Sequence, residues 1–407
     1  MSAEAPEPAP VHSGVVLDRL RARDPEAIRW LVAAVLGAAI ALPLLVSSPG
    51  NDLDVANVFR SGRSIARHLS YVPSRPPGAP VHEAIVGVLD LVGGPLLTNL
   101  ATLAAAVALI VALDRLLRRE GVGTGGRWAV LLVAANPWFV IAATSTADYV
   151  FALLFVVLAA HALRRDQAVL AGLLAAASMG CRIGSALLVV ALLVAELGEG
   201  RAAHRRVLVT GTTAALGTLV AFIPSFLAAG GIAFAENDFS HSTPLVQLGR
   251  ALAKDLVLIG PAASLLALAA VPAVWRALGT WRTSWLVRFA VPGLVLSQLL
   301  FIRFPWKMAH LLPTLLCAAV LLAVALDERP ALLIALVALQ LVFGVVRLDV
   351  IRPDNPNEAT GGRPGLSAGW GPVVTDWQCR REHPDAWRGR QKIEVEAAFV
   401  CAGPFGS

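Results

Sequence analysis

Charged residues are scarce in this sequence. Asp, Glu, Lys and Arg make up 15% of its 407 residues, whereas a typical soluble domain has roughly 25%. Hydrophobic residues account for 57% and the mean hydropathy is +0.68, which excludes a water-soluble fold with a highly charged surface. The net charge of +6 is therefore interpreted as a signal of membrane topology, and no nucleic-acid partner is expected.

Cysteine is scarce as well, and the four cysteines fall into two groups. Cys181 and Cys317 lie in or near apolar segments, where a thiol is expected to be inert. Cys379 and Cys401 lie in a polar C-terminal stretch, and they can form a disulfide if that stretch is in an oxidising compartment. The sequence alone leaves this bond open.

Long apolar runs, by contrast, are abundant. A helix needs about 20 apolar residues to cross a membrane. About eleven segments approach that length, at approximately 28–47, 94–117, 126–143, 147–164, 167–181, 183–197, 206–228, 255–276, 285–302, 308–326 and 330–348. The two short segments between 167 and 197 fit either two crossings or one long broken helix. The sequence therefore predicts an all-α integral membrane protein.

Arginine positions predict the orientation of these segments, because cytoplasmic loops are enriched in Lys and Arg. With the N-terminus inside, every loop assigned to the cytoplasm is short and basic. Residues 1–27 then form a cytoplasmic N-terminal segment, 28–348 a multi-helix membrane domain, and 349–407 a small extracytoplasmic C-terminal region. The expected location is the cytoplasmic (inner) membrane, with multiple crossings.

The first outer loop, residues 48–93, is the most polar run before the C-terminal region. Asp52 and Asp54 follow the first apolar segment within a few residues. Apolar residues then recur at helical spacing while arginines take another face, which predicts a helix in the membrane interface with its arginines toward lipid headgroups. Those arginines are Arg60, Arg63 and Arg67. A proline-rich strip at 73–80 cannot continue this helix.

Further ionisable residues fall on the predicted outer side, and the cations among them oppose the usual charge bias. They are Arg75, Glu83, Asp148, Arg182, Arg303, Lys307 and His310. Ionisable groups at membrane depth are costly and usually face a cavity or a partner. The alternative is that the cations extend to headgroups of the outer leaflet. Because all of these residues share one side with Asp52 and Asp54, the sequence favours a site at the outer surface.

Several short motifs follow one another along the chain. Asp54 comes soon after the first apolar segment, and Pro-Pro-Gly-Ala-Pro occupies 76–80. Asn-Pro-Trp occupies 136–138, Gly-Cys-Arg occupies 180–182, and Arg-Phe-Pro-Trp-Lys at 303–307 leads into a Leu-Leu-Pro step. In this order, and with a shared outer location, the motifs resemble the C-type (GT-C) superfamily of polytopic membrane glycosyltransferases. The resemblance covers most of residues 28–326.

The resemblance implies an activity and a class of substrate. The expected donor is a sugar linked to polyprenyl phosphate, the expected acceptor is a lipid, glycan or protein of the cell envelope, and the transfer is expected to invert the anomeric centre. The sugar is expected to be a hexose or a pentose, with mannose among the candidates. A C-terminal region of about 60 residues is too short for the large soluble domain of oligosaccharyltransferases.

Transfer from such a donor needs a base for the acceptor hydroxyl and cations for the leaving phosphate. Asp54 is expected to be the base, with Asp52 as the second candidate, although Asp52 also fits a helix cap. Glu83 and Asp148 are expected to position the acceptor or a metal ion, although each also fits the first turn of a helix. The side chains expected at the phosphate are Arg75, Arg182, Arg303, Lys307 and His310.

His82 and His310 lack the spacing of a metal site, so no metal ligand is assigned. A divalent cation, Mg²⁺ or Mn²⁺, stays open, because acidic groups and a phosphate can hold one together.

Two other classes of function are consistent with the same residues. One is a transporter or flippase for lipid-linked glycans, and the other is a non-catalytic assembly protein of the envelope. Transport predicts charges or Gly/Pro breaks at the middle of the membrane. Here the charges gather at the outer edge, and segments such as 207–235 carry none. The enzyme is therefore favoured.

Overall fold

A computed structural model describes residues 37–51, 53–231, 243–351 and 365–382. By its contacts the chain divides into two compact units, Met1–Pro43 and Leu44–Ser407. In the first unit the described residues, 37–43, are helical. All contacts discussed below lie within the second unit. The predicted cytoplasmic segment 1–27, Asp52 and Cys401 lie outside the described residues.

The described chain is built mainly of helices. In chain order they are α1 (Gly37–Ser47), α2 (Leu53–His68), α3 (Pro80–Arg119), α4 (Thr124–Ala134), α5 (Pro137–Ala143), α6 (Tyr149–Leu163), α7 (Ala168–Cys181), α8 (Ala186–Leu197), α9 (Arg201–Ala229), α10 (Pro244–Leu258), α11 (Pro261–Ala267), α12 (Val271–Leu278), α13 (Trp285–Arg303), α14 (Leu312–Ala325), α15 (Pro330–Val345) and α16 (Pro372–Glu382). Short 3₁₀ turns at Ile183–Ser185, Leu268–Ala270 and Met308–Leu311 lead into α8, α12 and α14. Two strands, β1 (Val346–Ile351) and β2 (Gly365–Trp370), precede α16.

Among the residues that the structure describes, five stretches of helix are long and apolar enough to cross a membrane. They are α3, α9, Pro261–Leu278, α13 and Met308–Ala325, and the pair α4 and α5, bent by 65°, would make a sixth. The shorter apolar helices are α1, α6, α7, Ile183–Leu197 and α15. Within the described residues each predicted apolar segment overlaps one of these elements; residues 28–36 of the first segment lie outside them. The prediction of a multi-pass helical membrane protein is confirmed. That all eleven segments cross the membrane stays a prediction.

Local sequence explains where several helices begin and bend. The side chain of Asn136 caps α5 by accepting hydrogen bonds from two backbone N–H groups of its first turn. Pro137 occupies the first position of the helix, where a backbone N–H would have no partner within the helix. Inside α3, Gly94 has a φ of 68°, which side-chain-bearing residues rarely adopt, and Pro95 follows it. The segment predicted to begin at residue 94 therefore starts at a kink within a longer helix.

Helix α2, which the sequence predicts as an interfacial helix, packs against the first half of α3. Val55, Val58 and Phe59 are buried in one cluster with Val86. Glycines let the two backbones touch, because a Cβ atom on Gly87 would lie 2.2 Å from the carbonyl oxygen of residue 62. The helix itself is confirmed, and its position is fixed by protein contacts on one face.

The prediction that all three arginines of α2 point to headgroups is wrong for Arg63. Its Nε atom lies 2.7 Å from Oδ2 of Asp90 on α3, whose side chain is only 4% exposed. A buried carboxylate needs a partner, which explains why this arginine turns inward. Arg60 and Arg67 are exposed, and their contact with headgroups stays a prediction.

The C-terminal region contains β structure that the all-α prediction missed. Strand β1 pairs antiparallel with β2 along its whole length, with Val346 opposite Trp370. The alternation of Val, Leu and Val with Arg and Asp in β1 suits a strand. Helix α16 follows and packs against α5 and α15. Its Cys379 is disulfide-bonded, and the predicted partner Cys401 lies outside the described residues.

Candidate active site

Five of the predicted site residues meet in one group of charges, here called the ion cluster. Its members are Asp54, Arg75, Asp148, Arg182 and Lys307. Lys307 Nζ lies 2.7 Å from Oδ2 of Asp54, and Arg75 Nη1 lies 3.0 Å from the same oxygen. Arg75 Nη2 also donates to Oδ2 of Asp148, and Arg182 Nη1 lies 3.2 Å from that oxygen. Arg75 therefore bridges the two carboxylates.

Every member of the ion cluster lies at a helix end or in a loop. Asp54 is in the first turn of α2, and Asp148 directly precedes α6. Arg182 is in extended conformation between α7 and the next 3₁₀ turn, and Lys307 directly precedes the 3₁₀ turn before α14. Arg75 lies in the proline-rich strip. Helix ends at one side of the bundle thus bring together residues that are far apart in sequence.

Burial and neighbouring cations act in opposite directions on the two carboxylates. Burial raises the pKa of Asp54, but the positive charges of Arg75 and Lys307 outweigh it and hold that pKa below its ordinary value. At Asp148, Arg75 and Arg182 overcome burial in the same way and hold the pKa well below its usual range. Both carboxylates are therefore ionised at neutral pH. Two carboxylates and three cations leave the ion cluster with a net charge of +1.

The two carboxylates differ in accessibility. The side chain of Asp54 is 23% exposed, whereas that of Asp148 is 2% exposed. Asp54 is therefore the more accessible of the two carboxylates. Asp148 lies beneath two guanidinium groups and is suited to orienting them.

Aromatic side chains flank the ion cluster near Arg182. The Cζ atom of Arg182 lies 4.0 Å from the ring centre of Tyr149. The rings of Tyr149 and His310 are 5.9 Å apart, and Nδ1 of His310 lies 3.3 Å from the carbonyl oxygen of Phe304. The structure therefore places the predicted residue His310 beside the ion cluster, where it contacts a ring and a backbone carbonyl.

Glu83 makes contacts that differ from its predicted role. Its Oε1 atom accepts hydrogen bonds from the backbone N–H groups of Ser74, at 3.0 Å, and Ala79, at 3.2 Å. The residue is fully buried. Glu83 therefore holds the proline-rich strip on both sides of Arg75. These contacts favour a structural clamp over the predicted positioning of an acceptor or a metal ion.

Arg303 is a predicted phosphate ligand that lies outside the ion cluster. It is exposed, and its Cζ atom lies 4.8 Å from the ring centre of Phe304. It has no ion pair with any carboxylate in the part of the chain that the structure describes. Helix α13 ends at Arg303 and Pro305 turns the chain, so that Lys307 alone of this pair reaches Asp54. The role of Asp52, outside the described residues, stays a prediction.

Two supporting residues were not predicted from the sequence. The Nζ atom of Lys254, on α10, donates to the carbonyl oxygen of Trp306, the residue before the lysine of the ion cluster. Two residues before the proline-rich strip, the hydroxyl of Tyr71 accepts a hydrogen bond from Ser225 on α9 at 3.3 Å. These partners are 52 and 154 positions apart in sequence, so no local motif marks them.

No family model and no curated protein matches this chain. A match was found among solved structures. The crystal structure of ArnT from Cupriavidus metallidurans bound to undecaprenyl phosphate covers 91% of this chain and 74% of its own, with a TM-score of 0.56 and 17% identity. ArnT has the GT-C fold. This chain has the GT-C fold too.

Two more structures were found in the same comparison. Apo ArnT from the same organism matches with a TM-score of 0.50 and 18% identity, over 74% of this chain and 60% of that chain. The cryo-EM structure of the arabinosyltransferase EmbB from Mycobacterium smegmatis covers 95% of this chain and 43% of its own, with 15% identity. Its TM-score is 0.41. The two ArnT structures confirm the predicted resemblance to GT-C proteins at the level of the fold.

The side chains of the ion cluster do not fit a divalent metal ion. Mg²⁺ and Mn²⁺ prefer several oxygen ligands, with carboxylates among them. Among the described residues no group of three His, Cys, Asp or Glu side chains could hold a metal ion. The two carboxylates of the ion cluster already contact three cations, whose charge repels a metal ion. No chemical step is therefore assigned to Mg²⁺ or Mn²⁺.

Proposed function

We propose that this protein is an inverting glycosyltransferase. It transfers a hexose or pentose from a polyprenyl-phosphate carrier to a hydroxyl group of a cell-envelope acceptor at the outer face of the membrane. The observation that carries the proposal is the ion cluster, in which an accessible carboxylate contacts two cations. ArnT, which has the same fold, was solved with undecaprenyl phosphate, and this supports a polyprenyl-phosphate carrier.

The charge of the ion cluster suits a phosphodiester. The ion cluster has a net charge of +1, and a polyprenyl-phosphate sugar carries one negative charge on its phosphodiester. The bound phosphate would compete with Asp54 for Arg75 and Lys307. A guanidinium can hold two phosphate oxygens, and an ammonium adds a point charge. Donor binding therefore neutralises the ion cluster and loosens the ion pairs of Asp54.

Looser ion pairs make Asp54 a stronger base, because the charges of Arg75 and Lys307 are what lower its pKa. Asp54 then takes the proton of the acceptor hydroxyl while the hydroxyl oxygen attacks the anomeric carbon. The bond between that carbon and the phosphate oxygen breaks, and the polyprenyl phosphate leaves with the bonding electrons. Arg75 and Lys307 stabilise the negative charge that develops on it. One such displacement inverts the anomeric centre.

Accessibility favours Asp54 over Asp148 as the base. A general base must come within hydrogen-bond distance of the proton it removes. Asp54 is 23% exposed, whereas Asp148 is 2% exposed and contacts two arginines. We therefore assign Asp148 to the orientation of Arg75 and Arg182.

The location of the charges also distinguishes the enzyme from a transporter or flippase. A transport pathway needs polar groups through the middle of the membrane. The residues of the ion cluster all lie at helix ends or in loops at one side of the bundle. This arrangement supports chemistry at one membrane surface.

A reconstituted transfer assay tests the proposal. The purified protein in liposomes would be given a panel of polyprenyl-phosphate sugars and an envelope lipid extract as acceptor. We expect one donor to yield a product whose anomeric configuration is opposite to that of the donor. Translocation of a lipid-linked sugar without any transfer would contradict the enzyme and favour the flippase.

Substitutions of Glu83 separate its observed clamp role from the predicted one. Gln keeps an oxygen that accepts from the N–H groups of Ser74 and Ala79, whereas Ala leaves both without an acceptor. We expect Glu83→Gln to keep transfer within about threefold of wild type and Glu83→Ala to lose about tenfold or more. The initial rate of transfer is the measurement. Equal losses in the two variants would indicate that the charge itself acts on a substrate.

Lys307 and Arg303 form a matched pair of cations for testing carrier binding. Lys307→Met removes a charge-assisted contact worth about 1.5–3 kcal/mol, so the Kd for undecaprenyl phosphate should rise about 10- to 100-fold. Arg303→Met removes an exposed side chain whose ring contact is with Phe304, and the Kd should change less than about threefold. Binding to the purified proteins is the measurement. An equal rise in Kd in the two variants would support the sequence-based prediction that both cations bind phosphate.

A further inference from the structure

Arg380 on α16 has no exposed surface, which is unusual for an arginine. Its Nη1 atom donates to the carbonyl oxygens of Leu44, at 3.1 Å, and Thr144, at 2.8 Å. Its Nη2 atom donates to the carbonyl oxygen of Ile141 at 3.3 Å and to Oγ of Ser145 at 2.7 Å. One guanidinium thereby joins the end of α1 to the loop between α5 and α6.

Asp376, one turn earlier on α16, extends this connection. Its Oδ2 atom lies 2.8 Å from Nε of Arg380, and its Oδ1 atom accepts a hydrogen bond from the side chain of Asn51 at 2.8 Å. The backbone N–H of Thr146 donates to the carbonyl oxygen of Pro49 at 2.8 Å. The loop after α1 and the loop before α6 are thus bonded both to each other and to α16.

These two loops lead directly to the carboxylates of the ion cluster. Asp54 follows Asn51 by three residues, and Asp148 follows Ser145 by three residues. Arg75 contacts both carboxylates at once. These two contacts of Arg75 depend on the distance between the two loops, and α16 is bonded to both of them.

We propose that Arg380 is a positioning residue for the phosphate site. By fixing the separation of Asp54 and Asp148, it keeps Arg75 oriented toward the phosphate of the carrier. That this phosphate belongs to a polyprenyl carrier rests on the proposed function. A guanidinium suits this task because its planar set of N–H groups reaches acceptors on two loops, whereas the single ammonium of a lysine does not reproduce that geometry.

Hydrogen exchange and carrier binding on the full-length protein in detergent test this proposal. Arg380→Lys keeps the charge, and Ser145→Ala keeps Arg380 but removes one acceptor. The matched control is Arg381→Ala, because Arg381 is exposed on the same helix and lies over the ring of Trp377.

We expect the backbone amides of Ser48, Gly50 and Asn51 and of residues 144–148 to exchange about tenfold faster in Arg380→Lys, and by a smaller factor in Ser145→Ala. The affinity for undecaprenyl phosphate should fall about tenfold in Arg380→Lys. Arg381→Ala should match wild type in both measurements.

Wild-type exchange of both loops in Arg380→Lys would overturn the proposal. Faster exchange with unchanged affinity for undecaprenyl phosphate would also overturn it, because Arg380 would then have only a structural role. If Arg380→Lys does not fold, Ser145→Ala tests the proposal instead. Wild-type exchange of both loops, or faster exchange with unchanged affinity for undecaprenyl phosphate, would then overturn it. A wild-type protein that does not bind undecaprenyl phosphate would instead contradict the proposed function.

Discussion

Replacing Asp54 with asparagine is expected to lower the rate of sugar transfer by ~10²–10⁴-fold. Asparagine keeps the shape of the side chain but cannot take the proton of the acceptor. The change also removes the negative charge that Arg75 and Lys307 contact at 3.0 and 2.7 Å. Both cations then become available to the phosphate, so the affinity for undecaprenyl phosphate should stay the same or rise. The measurements are kcat for transfer and Kd for undecaprenyl phosphate.

A fall in kcat together with a rise in Kd would contradict the assignment of Asp54 as base, because loss of local structure would weaken both transfer and binding. Asp148→Asn is the matched comparison, since it disturbs the orientation of Arg75 and Arg182 but leaves the base in place. Its kcat should fall less than that of Asp54→Asn. Asp52→Asn tests the second candidate from the sequence. If only Asp52→Asn is inactive, the proposed mechanism stands and the base is Asp52.

The members of the ion cluster could be predicted from the sequence because their position follows from topology. Each lies at the end of an apolar segment or in a loop on the same predicted side. Helix ends on one side of a bundle lie near the same surface, so that charged residues there can meet. The same reasoning predicts helix α2 and the break at the proline-rich strip. It gives no information about which cation pairs with which carboxylate.

Contacts that depend on local turns or on backbone atoms could not be predicted. Arg303 and Lys307 look equivalent in the sequence, but the helix ends between them and Pro305 redirects the chain. Glu83 binds backbone N–H groups of a strip whose turns are fixed by proline and glycine. Arg380 donates to acceptors that lie 235 to 336 positions away in sequence. Three of them are backbone carbonyls, which every residue has, so the sequence does not mark them as partners.

Replacing Arg75 with glutamine is expected to lower transfer by about 10²–10³-fold, the usual loss when a group that stabilises developing charge is removed. Arg75 contacts both carboxylates of the ion cluster, so its loss also removes one of the charges that lower the pKa of Asp54. The proton-accepting form of Asp54 is lost as the pH falls through that pKa. A higher pKa therefore moves the acidic limb of the kcat/KM profile to higher pH.

The shift of the acidic limb distinguishes this role from simple binding of the carrier, which changes affinity without moving the limb. Arg75→Lys keeps the charge but cannot hold two carboxylates with one planar group, so its transfer rate should lie between those of Arg75→Gln and wild type. Arg60→Gln, an exposed arginine of α2, is the control and should keep wild-type transfer and pH dependence. If Arg75→Gln loses less than about threefold in transfer and its acidic limb stays in place, Arg75 does not hold the phosphate and the proposed function of the ion cluster is wrong.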